Sequence, residues 1–139
     1  MTGASEGIGH GVALQLGGTG AKVYITGRHQ DKLDRVVEQI NKRGGEGVAI
    51  VCDHCIDEQT ENVFKKIETD EGRLDLLVNN AYGGVKSLVS DLGTPFWELG
   101  TTKWDIEMKA GLRSAYICTV LGTKLMVCLL IHCKVTSNL

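Results

Sequence analysis

The sequence predicts an α/β fold with a doubly wound parallel sheet. Two observations carry that prediction. Segments with apolar residues at helical spacing alternate with short apolar runs, in the order helix, strand, helix, strand, helix, strand. The chain also holds 18 glycines against a single proline, which suits tight turns between strands and helices better than a disordered linker. Its 139 residues are enough for one domain with one core.

The elements follow in order. The glycine-rich stretch from Thr2 to Gly9 opens a first helix. Lys22 to Thr26 reads as a short buried strand. Residues 31–43 read as a helix, with Leu33, Val36, Val37 and Ile40 on one face and Asp31 placed to cap it. Gly44 and Gly45 stop it. Residues 47–52 form a second strand. Asp57 opens a helix whose apolar face is Val63, Phe64 and Ile67, and Gly72 ends it. Residues 74–79 form a third strand. Strands alternating with helices imply a parallel sheet covered on both faces.

The region 83–100, with Pro95 and Trp97, reads as a long loop. Thr102 then caps a helix to about Val127, with Trp104, Met108, Leu112, Ala115, Tyr116 and Val120 inward. Gly111 and Gly122 weaken that helix. Residues 1–127 form one unit. Residues 128–139 are a divergent tail, either a strand over Leu129 to Val135 or a frayed end. A membrane span over residues 115–133 stays open, although Lys124 and His132 within it count against it.

A net charge of −2 gives no basic field for nucleic acid. Cys52, Cys55, Cys118, Cys128 and Cys133 form an odd set with no secretory signal before them. Reduced thiols in an intracellular protein are the plain expectation. A redox or zinc role for Cys52-x-x-Cys55 is the alternative, but the spacing to Cys128, His132 and Cys133 fits no common zinc pattern. No metal site is expected.

Thr2-Gly3-Ala4-Ser5-Glu6-Gly7-Ile8-Gly9 carries the chemistry. Gly3 permits a tight turn, Gly7 lets the backbone approach a pyrophosphate, and Gly9 lets the helix pack on the sheet. The helix N-terminus offers free N–H groups and partial positive charge to phosphates. Glycines also make empty turns; the helix, strand, helix and strand that follow give this loop its meaning.

The spacing Thr-Gly-x-x-x-Gly-x-Gly, Asp53 at a strand end, and Asn79-Asn80-Ala81 at the next strand end occur in that order. Together they resemble the short-chain dehydrogenase/reductase family. The likeness runs from residue 2 to about 127. It implies a Rossmann-like doubly wound sheet binding a nicotinamide dinucleotide. It carries over Gly3, Ser5, Gly7, Ile8, Gly9, Arg28, Asp53, Asn80 and Ala81 as cofactor-binding, with Asp53 at the adenine. It also implies that the fold here is incomplete. The phosphate loop begins at residue 2, so the family's central first strand is expected to be missing. Strands 22–26 and 74–79 would then lack a shared neighbour, leaving the chain poorly stable or aggregation-prone.

The residue after strand 22–26 selects the cofactor. An acid there would bind the ribose 2′-hydroxyl, whereas Arg28 accommodates a 2′-phosphate. NADP is expected. Glu6 on the loop opposes that phosphate, so NAD stays open.

The family resemblance implies a catalytic serine and a Tyr-x-x-x-Lys on a later helix. No catalytic residue is assigned here. Tyr82-Gly83-Gly84-Val85-Lys86 has that spacing, but its glycines oppose a helix, and only a helix puts i and i+4 on one face. Tyr82 is expected to line the nicotinamide end or simply to pack. Ser137 would lie beyond a strand over Leu129 to Val135, with two residues left. Gly111 takes the place of the asparagine that family members often use.

The stretches 23–29, 72–82 and 96–98 further resemble one particular member of the family. That likeness implies a parent enzyme reducing steroid and xenobiotic carbonyl compounds with NADPH, cytoplasmic or associated with the endoplasmic reticulum. Two other readings stand beside a truncated oxidoreductase. One is a non-catalytic dinucleotide-binding module, a regulatory partner of a full-length relative. The other is a product without function. A homo-oligomer is compatible with each of the first two.

Overall fold

The computed structural model describes residues 1–84, 89 and 91–135. Its centre is a two-stranded parallel sheet. Strand β1 (Lys22–Gly27) pairs with β2 (Glu46–Val51), with Lys22 opposite Glu46 and Gly27 opposite Val51. Helix α1 (Gly7–Gly18) precedes β1, α2 (Gln30–Lys42) joins the strands, and α3 (Asp57–Glu71) follows β2. After irregular chain comes a short 3-10 turn, Phe96–Glu98. A long helix follows: α4 (Thr102–Glu107), a π turn (Met108–Arg113) and α5 (Ser114–Val135).

The period-two alternation of β1 builds two cores. Val23 and Ile25 point to one face, where they meet Ala4, Ala13, Leu33, Val36 and Ile40 of the α1 and α2 side. Tyr24 points to the other, where Cys52 from the end of β2 joins Val63, Phe64, Ile67, Cys118 and Leu125 of α3 and α5. Both faces of the sheet are covered, as the doubly wound reading requires.

The helix limits shift by one residue from the sequence reading at several ends. Asp31 does not cap α2; His29 holds the N-cap position and Asp31 lies in the first turn, beside the helix's positive end. Thr102 likewise lies inside α4, after Thr101. Gly72 ends α3 in the left-handed conformation at φ 67°.

The third strand does not form. Residues 74–79 run irregularly, because their neighbour is only the short segment Met1–Ala4. That segment sits between β1 and residues 78–81. Met1 N donates to the Tyr24 carbonyl at 2.9 Å, and Thr26 N to the Met1 carbonyl at 3.1 Å. Ala4 N donates to Thr26 at 2.9 Å and Thr2 N to Val78 at 3.0 Å. The shared neighbour expected to be missing is therefore present at the C-terminal end of β1. Toward the other end the gap remains, as a cavity of about 410 Å³ lined by Leu16, Val23, Val63, Phe64, Ile67 and Leu74 among others.

The reading of the late helix needs two corrections. The strand over 129–135 is absent, since α5 continues to Val135. The expected inward face is also turned outward: Trp104, Leu112 and Tyr116 are exposed, at 66, 68 and 70%. The π turn between α4 and α5 resets the helical phase. Ser114, Cys118, Gly122 and Leu125 are buried instead. Gly122 does not merely weaken the helix. A Cβ there would stand 3.0 Å from Leu77 and 3.2 Å from Phe64, so its absence lets α5 seat against α3. No helix among the described residues is long and apolar enough to cross a membrane.

Candidate dinucleotide site

The loop Thr2–Gly7 lies at the C-terminal end of β1, where open α/β sheets bind ligands. Gly3 and Gly7 both take left-handed backbone, at φ 63° and 59°. Gly3 is also crowded, since a Cβ would lie 2.8 Å from Ala81 Cα. Gly7 is the opposite case, with nothing within 4 Å of an added Cβ. Its surface is open for a ligand to approach the backbone. Gly9 is buried, and its added Cβ would stand 2.3 Å from the Gly3 carbonyl oxygen. Its smallness therefore lets α1 close on the loop and on Asn80.

No side chain caps α1. Its first N–H groups and the positive end of its dipole thus face the space above Gly7. These features fit a pyrophosphate. Ser5 is half-buried against Gly27, and Ile8 is exposed beside the open space.

Asn80 and Ala81 stand behind the loop. Asn80 Nδ2 donates to the carbonyls of Gly3 at 2.9 Å and Thr2 at 3.2 Å. The backbone N–H groups of Asn80 and Ala81 both donate to Thr2 Oγ1, at 2.9 and 3.0 Å. These contacts make the pair a brace for the loop. Asn79 turns the other way and donates to Thr119 Oγ1 at 2.9 Å.

The rim of the site is charged. Arg28 and His29 are exposed on the turn after β1. Asp53 lies one strand over, because Cys52 N donates to the Gly27 carbonyl at 2.9 Å. The Asp53 carboxylate accepts from Cys55 N at 2.9 Å, and its own N–H donates to Gln59 at 2.8 Å. The structure thus brings the loop glycines, Ser5, Arg28 and Asp53 to one edge of the sheet. The large cavity lies below them, at the other end of β1.

Tyr82 packs its ring on Gly111, whose added Cβ would stand 3.2 Å from Tyr82 Cδ2. Burial, and then Glu107 beside it, push its phenol above the usual range. An acid/base tyrosine needs the opposite shift. Lys86 and Ser137 fall outside the described residues. Gly111 belongs to the π turn, a local geometry often found at functional sites.

Sequence reasoning passed over His54. Its ring is buried at 6% exposure, with Nε2 hydrogen-bonded to Thr26 Oγ1 at 2.7 Å and Nδ1 to Thr60 Oγ1 at 3.1 Å. Cys52 and Cys118 approach Nδ1 at 3.7 and 3.6 Å. Burial lowers the imidazole to about 4 and raises both thiols to about 11. This is a neutral knot joining β1, α3 and α5. Cys52, Cys55 and Cys118 are free thiols. Among the described residues no three His, Cys, Asp or Glu side chains gather as a metal site.

With that geometry in place, the family model for short chain dehydrogenases matches residues 1–130. The chain belongs to this family. It is 45% identical over 128 residues to the human dehydrogenase/reductase SDR family member 1, covering 91% of this chain and 41% of that protein. A 3beta-hydroxysteroid dehydrogenase of Mediterraneibacter gnavus is 32% identical over 128 residues, covering 91% of this chain and 44% of that protein. This member of the short-chain dehydrogenases therefore spans less than half the length of these relatives. Among solved structures, a metagenomic short-chain oxidoreductase in complex with NADP superposes with a TM-score of 0.78 at 29% identity, over 92% of this chain and 55% of that one. The fold is that of the family's nicotinamide dinucleotide-binding domain.

Proposed function

We propose that this chain is the dinucleotide-binding part of a short-chain oxidoreductase that reduces carbonyl compounds with NADPH. One observation carries the reading: the braced loop leaves Gly7 and the uncapped start of α1 open, with Arg28 at the same edge. Gly7, Ile8 and Gly9 would offer N–H groups to the pyrophosphate. Asp53 would meet the adenine, and Arg28 the 2′-phosphate. When bound, the nicotinamide supplies the hydride. Likeness to a 3beta-hydroxysteroid dehydrogenase supports steroid carbonyl compounds as substrates; xenobiotic carbonyl compounds and association with the endoplasmic reticulum are part of the same proposal. The exposed Trp104, Leu112 and Tyr116 support a homo-oligomer.

A second reading has an observation of its own. Tyr82 lies in irregular chain with its ring on Gly111, not on a helix as a Tyr-x-x-x-Lys pair requires, which supports a dinucleotide-binding module without catalysis, acting beside a full-length relative. Calorimetric titration with NADPH tests both readings, and both require saturable binding. Turnover of a model carbonyl compound then separates them, because only the oxidoreductase consumes NADPH.

A further inference from the structure

Glu6 stands at odds with an NADPH site. It lies on the phosphate loop beside Gly7, where a carboxylate repels an added phosphate. The structure supplies its counter-charge. Lys32, in the first turn of α2, donates from Nζ to Glu6 Oε1. The two side chains come from different elements, 26 positions apart. Glu6 is 68% exposed and Lys32 39%, so the pair sits at the solvent rim. An exposed pair of this kind adds little to folding. Its position is more informative. It bridges the loop that would take the pyrophosphate and the helix that begins just after Arg28.

We propose that Lys32 is a specificity-determining residue: by holding Glu6 it cancels the charge that would exclude a 2′-phosphate, and so admits NADPH beside NADH. The inference rests on the dinucleotide reading above. It makes the carboxylate, rather than the phosphate itself, the partner of Lys32. Arg28 remains the group that meets the phosphate. Removing Lys32 therefore matters only while Glu6 is present.

The test is calorimetric titration of the full chain with NADPH and with NADH. The variants are Lys32→Gln, Lys32→Arg, Glu6→Gln and the double variant Glu6→Gln/Lys32→Gln. We expect Lys32→Gln to weaken NADPH about tenfold, the scale of removing one charge near a protein surface, and NADH less than about twofold. Lys32→Arg keeps NADPH binding, and the double variant recovers it to within about twofold of the wild type on the same grounds. Equal loss for both dinucleotides overturns the proposal. So does a double variant as weak as Lys32→Gln, or a Lys32→Arg variant as weak as Lys32→Gln. If the folded wild type binds neither dinucleotide, the site reading itself fails, which is a distinct result.

Discussion

Asn80 donates from its side-chain amide to the Gly3 carbonyl at 2.9 Å, across 77 positions of sequence. The bond ties the middle residue of the family's Asn-Asn-Ala motif to the first glycine of the phosphate loop. It gives that asparagine a mechanical role, independent of any contact with a ligand.

Asn80→Ala removes the bonds to Gly3 and Thr2. We expect a loss of about 1–2 kcal/mol in urea melts. Asn80→Asp should be worse, because an ionised carboxylate can only accept, and it would face two carbonyl oxygens. Equal stability of the wild type and Asn80→Asp would show that the brace is unimportant.

Two glycine substitutions should separate folding from binding. Gly9→Ala puts a Cβ 2.3 Å from the Gly3 oxygen and 2.4 Å from Asn80 Nδ2. We expect about 1–3 kcal/mol of lost stability from that overpacking. Gly7→Ala meets no atom within 4 Å but keeps φ at 59°. Its folding cost is about 1–2 kcal/mol for the left-handed backbone, while its methyl stands where the pyrophosphate would approach. NADPH affinity should fall further for Gly7→Ala than its stability loss accounts for. Measuring melts and titrations on the same samples decides this.

The fold was legible in the sequence where local chemistry decides the outcome. Leu33, Val36 and Ile40 declared their face by spacing, and they form one core with Val23 and Ile25 of the buried strand. Residues 74–79 misled, because a strand exists only with a partner to pair with, and Met1–Ala4 reaches only its end. Trp104 and Leu112 misled because the spacing assumed an unbroken 3.6-residue helix, which the π turn at Met108–Arg113 breaks. In the site, the glycine pattern was readable, but the division of labour was not. Gly7 faces open space while Asn80 and Ala81 sit behind the loop, and only three-dimensional contact shows that. His54 gave no signal, because its partners Thr26, Thr60, Cys52 and Cys118 are scattered along the chain.

His54 makes stability depend on pH with a definite sign. Burial lowers its folded pKa from 6.5 to about 4. Between those values the unfolded chain binds a proton that the folded chain refuses. Stability is therefore full above the unfolded value and is lost as pH falls through this window, levelling off near the folded value. The loss from this group is about 3 kcal/mol. Urea melts across the window should show it, and His54→Gln should flatten the dependence. Identical pH profiles for the two proteins would contradict the assignment.

Tyr82→Phe should leave NADPH affinity within about twofold, because the ring that packs on Gly111 is retained. Any carbonyl turnover should persist as well. Turnover abolished with binding intact would make Tyr82 the acid after all.

The most direct test of the central claim is a residue-resolved titration of backbone amides by NMR. On adding NADPH, we expect the amides of Gly7, Ile8 and Gly9 to shift most, followed by those around Arg28 and Asp53. Saturation should follow a single site. No shift at the loop of the folded chain, or shifts confined to the lower cavity around Phe64 and Leu74, would contradict it.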